Sequence, residues 1–432
     1  MRIPLLLAVL FFGAGAQAQQ LYFPAPQANS AWETVDPSAL GWCTDQEQAL
    51  HDFLASSNTK AFIVLKDGRI ALEWYFGTFT TDSAWYWASA GKSLTAFLVG
   101  RAQQEGSLDI NAPASTYLGA GWTSLTPAQE EAITVRHQLT MTSGLDDSGD
   151  LDCTDPACLT YLAEPGTRWS YHNAPYTLLH SVLESATGLG SFTFLFTRLT
   201  VPTGINGLFL PVDDNIVFFS GARSMARFGL LMQGGGAWDG NPILSDVAYY
   251  DAMITPSQSL NEAYGYLWWL NGQESFMLPG LQFVFNGPAM TNAPMDVYAA
   301  LGKNGQIINV SPSTGLVVVR MGNLPGDIFV PNLYNDQIWQ HLNALMCTGT
   351  NVEVTPGATP RFAPNPAFDL VRVLDTEVDI LEAWAIGTDG RRHALPHDRD
   401  AIQVDGLAPG LYQIGLRCTD GMRLSGRLVV ER

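Results

Sequence analysis

Residues 87–98 read WASAGKSLTAFL, and this stretch places Ser89 three positions before Lys92 at the start of a predicted helix. Apolar residues then recur at helical spacing, which predicts a helix from Ser89 to about Glu105. Residues three apart lie on one face of a helix, so the Lys92 side chain can reach the Ser89 hydroxyl. A desolvated lysine can act as the base that makes a serine nucleophilic.

A second Ser-x-x-Lys sequence runs from Ser57 to Lys60. It lies in a polar turn before a predicted strand, with no helix to present the hydroxyl, so we interpret it as ordinary surface. The Ser89 copy alone is equally consistent with a helix-capping serine beside a solvated lysine. Further motifs are needed to separate these two interpretations.

Tyr171-His172-Asn173 is the second motif. A tyrosine near the serine can act as a phenolate base if two ammonium groups lower its pKa from about 10. Asn173 can hold a substrate carbonyl or amide group. His172 between them is interpreted as a partly buried spacer.

The third motif is Gly302-Lys303-Asn304-Gly305-Gln306, directly before a predicted strand. Lys303 would supply the second positive charge. Gly305 lets the next strand come close, and the Gln306 N–H can pair with the Ser89 N–H as an oxyanion hole.

In this order, the three motifs resemble the set found in serine β-lactamases and penicillin-binding proteins. The region from about residue 45 to 347 is similar to class C β-lactamases, family VIII esterases and 6-aminohexanoate-dimer hydrolases. The supporting stretches are residues 133–145, 165–188, 224–245 and 300–319. The resemblance implies an acyl-enzyme mechanism in which Ser89 attacks a carbonyl, Lys92 and Tyr171 manage the proton, and Lys303 holds the electrostatic network.

The sequence departs from the β-lactamase pattern at Asn304, where threonine is common, and at His172. We therefore expect a carboxylic ester or amide as substrate, with β-lactamase or D-alanyl peptidase activity as alternatives. An aromatic cluster, expected to line an apolar acyl pocket, comprises Tyr264, Tyr266, Trp268 and Trp269.

Two other interpretations stay open. A Ser-His-Asp triad would use His137, His172 or His180, although no Gly-x-Ser-x-Gly elbow is found. In the second interpretation, the chain is a catalytically inactive hydrolase fold that serves as a cell-surface binding protein. No cofactor is expected, and neither the histidines nor the cysteines have the spacing of a metal site.

Predicted strands lie at both ends of the 45–347 region, with helical patterns between them. The fold class is therefore α+β, with an antiparallel sheet built from both ends and an inserted helical lobe. Residues 348–363 are linker-like, and residues 364–432 predict a small Ig-like β-sandwich. The tail, from PNPAFD at 364–369 to LVVER at 428–432, resembles a type IX secretion sorting domain. This resemblance implies the type IX secretion machinery as a partner.

Residues 1–18 predict a signal peptide, because Arg2 precedes an apolar run and a small-x-small cleavage site. Residues 19–44 form an N-terminal extension, and we expect a secreted or cell-surface protein without a transmembrane helix in the mature chain. Export permits disulfides, for which Cys153–Cys158 and Cys43–Cys347 are hypotheses that leave Cys418 over. The net charge of −19 disfavours nucleic acid as a partner.

Overall fold

The structure is a computed structural model that describes residues 21–27, 29–326, 330–347, 361–374, 379–387, 392–419 and 423–430. The predicted signal peptide and most of the predicted linker lie outside these residues. The chain divides between Thr348 and Gly349 into two compact units.

The helices of the described residues all lie in the first unit. They are α1 Glu47–Ser56, α2 Gly91–Gln104, α3 Ser115–Leu118, α4 Pro127–Glu131, α5 Val135–Leu139, α6 Asn173–Thr177, α7 Leu179–Thr187, α8 Ser191–Leu195, α9 Val201–Thr203, α10 Ala222–Gln233, α11 Val247–Met253 and α12 Asn332–Leu345.

The strands of the first unit are β1 Thr59–Lys66, β2 Arg69–Tyr75, β3 Trp85–Tyr86, β4 Gly207–Val212, β5 Asn215–Ser220, β6 Ala237–Trp238, β7 Asn241–Pro242, β8 Trp269–Leu270, β9 Ser275–Phe276, β10 Phe285–Asn286, β11 Tyr298–Gly302, β12 Gln306–Ser311 and β13 Leu316–Gly322. Those of the second unit are β14 Arg361–Ala363, β15 Leu370–Leu374, β16 Ile380–Gly387, β17 Arg392–Ala394, β18 His397–Asp398, β19 Ala401–Gln403, β20 Gly410–Cys418 and β21 Arg423–Val430.

The central sheet has six antiparallel strands in the order β2-β1-β13-β12-β11-β8. Its strands come from both ends of the unit and the helical lobe comes from the middle, as the sequence predicted. Strands β12 and β13 are buried throughout, because α10 packs on the sheet. Gly229 permits this close packing, since a Cβ there would lie 2.4 Å from Val317 Cγ1.

A hairpin of β4 and β5 lies within the lobe, where the sequence predicted only turns and helical patterns. Every residue from Leu208 to Val212 is apolar, so hydrophobic periodicity gives no signal there. The turn passes through Asp213, whose φ is +51°, a conformation that aspartate tolerates better than most residues. Phe209 and Phe218 pack into the core from one face of the hairpin.

The second unit contains two four-stranded antiparallel sheets, ordered β14-β15-β19-β18 and β17-β16-β20-β21. Alternate residues such as Val371, Ile402 and Ile414 are fully buried and form a core of its own. This arrangement is consistent with the predicted β-sandwich.

Two disulfides are present, Cys43–Cys347 and Cys153–Cys158, and both were predicted. Cys418 is buried in the second unit and belongs to neither. Within the described residues, none of the helices has the length and apolar character needed to cross a membrane.

Candidate active site

Ser89 lies at the centre of a 3-10 turn, Ala88–Ala90, which leads directly into α2. Ala88 has a left-handed φ of +46°, a strained conformation of the kind that concentrates at functional sites. Lys92 is in the first turn of α2, and its Nζ donates a hydrogen bond of 2.8 Å to Ser89 Oγ. The two residues, three positions apart in the sequence, are therefore in direct side-chain contact.

Lys92 is only 3% exposed, and its amino group lies over two aromatic rings. Nζ is 4.3 Å from the ring centroid of Tyr176 and 5.3 Å from that of Tyr171. Burial disfavours the charged form and lowers the pKa of Lys92 to about 7, although the negative charge of Asp152 opposes this shift. A substantial fraction of Lys92 is therefore the neutral amine at neutral pH, able to accept a proton.

Tyr171 is buried beside the same serine, and its hydroxyl hydrogen-bonds the Ser89 side chain. Its ring stacks on Trp269 at 5.8 Å and meets Tyr264 edge-on at 6.2 Å. Burial raises the pKa of Tyr171 well above its ordinary value. This differs from our expectation that two ammonium groups would lower it, since desolvation is the largest effect at this position. Tyr171 is accordingly a neutral phenol at neutral pH.

Asn173 begins α6, and its Nδ2 donates a hydrogen bond of 2.7 Å to Asp152 Oδ1. The other amide atom, Asn173 Oδ1, is buried without a hydrogen-bond partner among the described residues. It can therefore accept a hydrogen bond from a substrate. Sequence reasoning missed Asp152, whose only signal was its position next to Cys153 of the short disulfide.

Lys303 opens the 3-10 turn Lys303–Gly305 between β11 and β12, and its side chain is exposed. The residue before it, Gly302, packs directly on the nucleophile turn. A Cβ on Gly302 would lie 2.4 Å from Trp87 O and 3.1 Å from Ser89 N, so only glycine lets β11 come this close to Ser89.

Gly305 and Gln306 are both buried, and neither is among the residues that line the cavity around Ser89. Gly305 has a φ of +81°, and a Cβ there would lie 2.2 Å from Arg320 Nη1. The Arg320 side chain therefore occupies the space beside Gly305. The Gln306 side chain donates to Gly322 O at 2.7 Å and accepts from Gly322 N at 3.1 Å. The expected role of the Gln306 N–H in an oxyanion hole stays a prediction.

Arg320 is a buried residue beside the Lys303–Gly305 turn that sequence reasoning missed. Its Nη1 donates 2.9 Å hydrogen bonds to both Asn304 O and Gly305 O, and its Nη2 donates to Ser57 O at 2.7 Å. The guanidinium therefore ties the Lys303–Gly305 turn to the chain before β1. Ser57, in the other Ser-x-x-Lys sequence, has a structural role, because its Oγ forms a hydrogen bond of 2.6 Å with Tyr334 Oη.

A cavity of about 450 Å³ contains five of the side chains that the sequence singled out: Ser89, Lys92, Tyr171, Asn173 and Lys303. Its other polar walls are Tyr86, Asp152, Tyr176, Asp213 and Asn215. The β4–β5 hairpin supplies the apolar wall through Val212, Ile216, Val217 and Phe219. The cavity thus joins a nucleophile, two lysine side chains and a phenol.

The predicted aromatic acyl pocket is wrong in its location. Tyr264, Tyr266, Trp268 and Trp269 are at most 5% exposed and belong to the core, where two of them support Tyr171. Aromatic side chains bury a large apolar area, and these four belong to the main hydrophobic core.

The three histidines considered for a triad lie outside the lining of this cavity. His137 Nδ1 lies 3.1 Å from Thr134 Oγ1 and caps a helix, whereas His180 Nε2 lies 3.4 Å from Thr95 Oγ1. Burial lowers the pKa of His172 and that of His180. Among the described residues, no group of three or more His, Cys, Asp or Glu is placed to hold a metal ion.

Comparisons with solved structures show the fold. The chain is similar to a candidate 6-aminohexanoate-dimer hydrolase from Bacillus anthracis, with a TM-score of 0.56 at 17% identity, covering 75% of this chain and 90% of that one. A family VIII carboxylesterase matches with a TM-score of 0.53 at 16% identity, covering 69% and 97%. The octameric penicillin-binding protein homologue from Pyrococcus abyssi matches with a TM-score of 0.53 at 14% identity, and the match covers 90% of this chain and 96% of that one.

A search of curated protein sequences finds no match to this chain. The sequence profile of the Beta-lactamase family matches residues 57–343, about two thirds of the chain and all of the elements that form the cavity. The chain belongs to the Beta-lactamase family.

Proposed function

We propose that this protein is a serine hydrolase that acts on a carboxylic ester or amide through an acyl-enzyme, with Ser89 as nucleophile. The observation that carries the proposal is the 2.8 Å hydrogen bond between Ser89 Oγ and Lys92 Nζ, a buried amine whose pKa falls to about 7. A serine hydroxyl is a weak nucleophile until a neighbouring base accepts its proton. Membership of the Beta-lactamase family supports the same chemistry.

In the first step, Ser89 Oγ forms a bond to the substrate carbonyl carbon while its proton moves to the neutral Lys92 amine. The carbonyl oxygen becomes negatively charged, and the positive charge of Lys303 in the same cavity stabilises it. The bond to the leaving group then breaks. Tyr171, a neutral phenol hydrogen-bonded to Ser89, gives its proton to the leaving oxygen or nitrogen, and Lys92 returns a proton to Tyr171.

In the second step, water attacks the acyl carbon of Ser89. Its proton moves to Lys92, the bond between Ser89 Oγ and the acyl carbon breaks, and Lys92 gives the proton to Ser89 Oγ as the carboxylic acid leaves. Lys92 therefore serves as base in both halves of the cycle. Asn173, with its unpartnered buried Oδ1, is placed to orient a substrate amide.

Esterase or amidase activity ranks above β-lactam hydrolysis and D-alanyl peptidase activity, because two motif positions depart from the β-lactamase pattern. Asn304 stands where threonine is common, and His172 is the middle residue of the tyrosine motif. The cavity itself is lined by two acidic side chains, Asp152 and Asp213, and by two lysines, Lys92 and Lys303.

The test compares turnover of a nitrophenyl ester with that of nitrocefin for the wild type and Ser89→Ala. We expect ester hydrolysis that Ser89→Ala lowers by at least about a thousandfold, since the covalent route is lost. Ser57→Ala, in the other Ser-x-x-Lys sequence, is the matched control and keeps activity. If neither substrate is turned over and a fluorophosphonate probe leaves Ser89 unlabelled, the chain is a binding protein on a hydrolase fold.

The export of this protein is part of the same proposal. It rests on the predicted signal peptide 1–18, the two disulfides and the resemblance of residues 364–432 to a type IX sorting domain. Residues 45–347 would be the hydrolase domain and 348–363 the linker. N-terminal sequencing of the exported protein tests this, with Gln19 expected first, and deletion of residues 364–432 is expected to retain the protein inside the cell envelope.

A further inference from the structure

A second cavity, of about 810 Å³, lies beside the one that contains Ser89. Both cavities have Phe219 in their walls. Leu208 and Leu210 line only the second cavity, whereas Val212 and Val217 line only the first. The two cavities therefore meet along one part of the molecule, the β4–β5 hairpin.

The strand register places these wall residues on a single face of the hairpin. Leu208 pairs with Phe219 and Leu210 pairs with Val217, and directly paired residues point to the same side of a sheet. Val212, two positions beyond Leu210, shares that side. These five residues are apolar and line one or both cavities, and Asn215, which pairs with Val212, is a polar residue at the turn end of the same face.

This face is exposed although it is apolar. Leu208, Leu210 and Val212 are 41%, 40% and 41% exposed. The opposite face of the hairpin is already used, because Phe209 and Phe218 pack into the core. A half-exposed antiparallel sheet ordinarily presents polar residues on its outer face, so an apolar outer face indicates a binding surface.

We propose that this face binds a long aliphatic chain of the substrate whose carbonyl group lies at Ser89, with the end of the chain against Leu208 and Leu210. These two leucines belong to the apolar wall of the second cavity, whose other walls are largely polar and include Asp82 and Arg223. The inference rests on the proposed function and names the substrate class, an ester of a medium- to long-chain fatty acid. Continuity with the nucleophile cavity selects the substrate itself as the occupant, because Phe219 belongs to both walls.

The length of the face sets the length of the chain. The four-residue step from Val212 to Leu208 spans about 13 Å along the strand. An extended covalent chain advances roughly 1.2 Å per bond, so about eleven bonds cover this distance. A decanoyl group has nine C–C bonds and extends roughly 11 Å, most of the length of the face, whereas an acetyl group leaves the face uncovered.

The test measures kcat/KM of the full-length protein for nitrophenyl acetate and nitrophenyl decanoate. The variant is the double substitution Leu208→Ser and Leu210→Ser, and the control is Leu333→Ser, which replaces a leucine that is 82% exposed on α12. We expect the double variant to lower the decanoate-to-acetate ratio by at least about tenfold, because less apolar surface is buried with the chain. Acetate turnover stays within about twofold of the wild type, as Ser89 and Lys92 are untouched. The control keeps both rates.

An unchanged ratio in the double variant overturns the proposal, and so does a wild type that hydrolyses acetate while rejecting decanoate. Either result leaves the hydrolase function standing. A wild type that hydrolyses neither ester contradicts the proposed function itself, and the subsite with it. Unfolding temperatures of all three proteins show whether the double variant is folded.

Discussion

Asp152 accepts a 2.7 Å hydrogen bond from Asn173 Nδ2 and faces the same cavity as Lys92. Its negative charge favours the ammonium form of Lys92 and so raises the pKa that burial lowers. The balance between these two effects determines how much neutral amine is present at a given pH.

Asp152→Asn tests this balance. The asparagine keeps an oxygen to accept the Asn173 hydrogen bond but removes the charge, so the pKa of Lys92 falls further. We expect the acid limb of the kcat/KM profile to move to lower pH by about one unit. Asp213→Asn, which removes another cavity carboxylate, is the control. A limb that stays in place, or that moves equally in both variants, contradicts a specific effect of Asp152.

The wild-type pH profile follows from the environment of Lys92. The base must be neutral to accept the Ser89 proton, and the buried amine has a pKa of about 7. Activity should therefore be low in acid, rise through about pH 7 and level off above it. Hydrolysis of a non-titrating ester between pH 5 and 9 measures this, at about tenfold per unit on the acid side. A flat profile across this range excludes Lys92 as the base.

The same burial costs stability. The folded pKa of Lys92 is about 7 against an ordinary 10.5, so between these values the unfolded chain holds more protons than the folded one. The free energy of unfolding therefore rises with pH in this range, and the cost of burying Lys92 is greatest below about pH 7. Lys92→Met should raise the unfolding temperature at pH 7 while abolishing activity.

The gain from Lys92→Met should shrink as the pH approaches 10.5, the value at which the unfolded chain also loses the proton. Lys60→Met, which removes an ammonium that lies over the Trp85 ring, is the control. A Lys92→Met protein that is less stable than wild type at pH 7 would contradict the account.

The two disulfides should have separable effects. Cys43–Cys347 joins residues 304 apart, so replacing both cysteines by serine should cost about 2–5 kcal/mol of unfolding free energy with little change in kcat. Cys153–Cys158 closes a separation of 5 residues and fixes the segment after Asp152. Its removal should lower kcat/KM more than the unfolding temperature. Equal effects of the two double variants on both measurements would contradict this division.

Much of the sheet was predictable, because the strands at both ends of the first unit are long, rich in β-branched residues and bounded by turns such as Asp67-Gly68. The Ser89–Lys92 contact was predictable for a different reason, since helical spacing alone places residues three apart on one face. Both are local features that need no knowledge of the rest of the chain.

The parts that sequence reasoning missed depend on contacts between distant segments. Asp152 enters the cavity only because α6 and the short disulfide hold its loop there. Arg320 binds carbonyl groups that are 15, 16 and 263 residues away. The raised pKa of Tyr171 has the same origin, because burial is a property of the packed molecule and has no signature in the Tyr-x-Asn motif.

The most direct measurement is the intact mass of the protein mixed rapidly with a slowly hydrolysed nitrophenyl ester, followed by peptide mapping. Our account predicts a mass increase of one acyl group, located on Ser89, that disappears on further incubation and is absent in Ser89→Ala. An acyl group on another residue, or ester turnover that persists undiminished in Ser89→Ala, would contradict it.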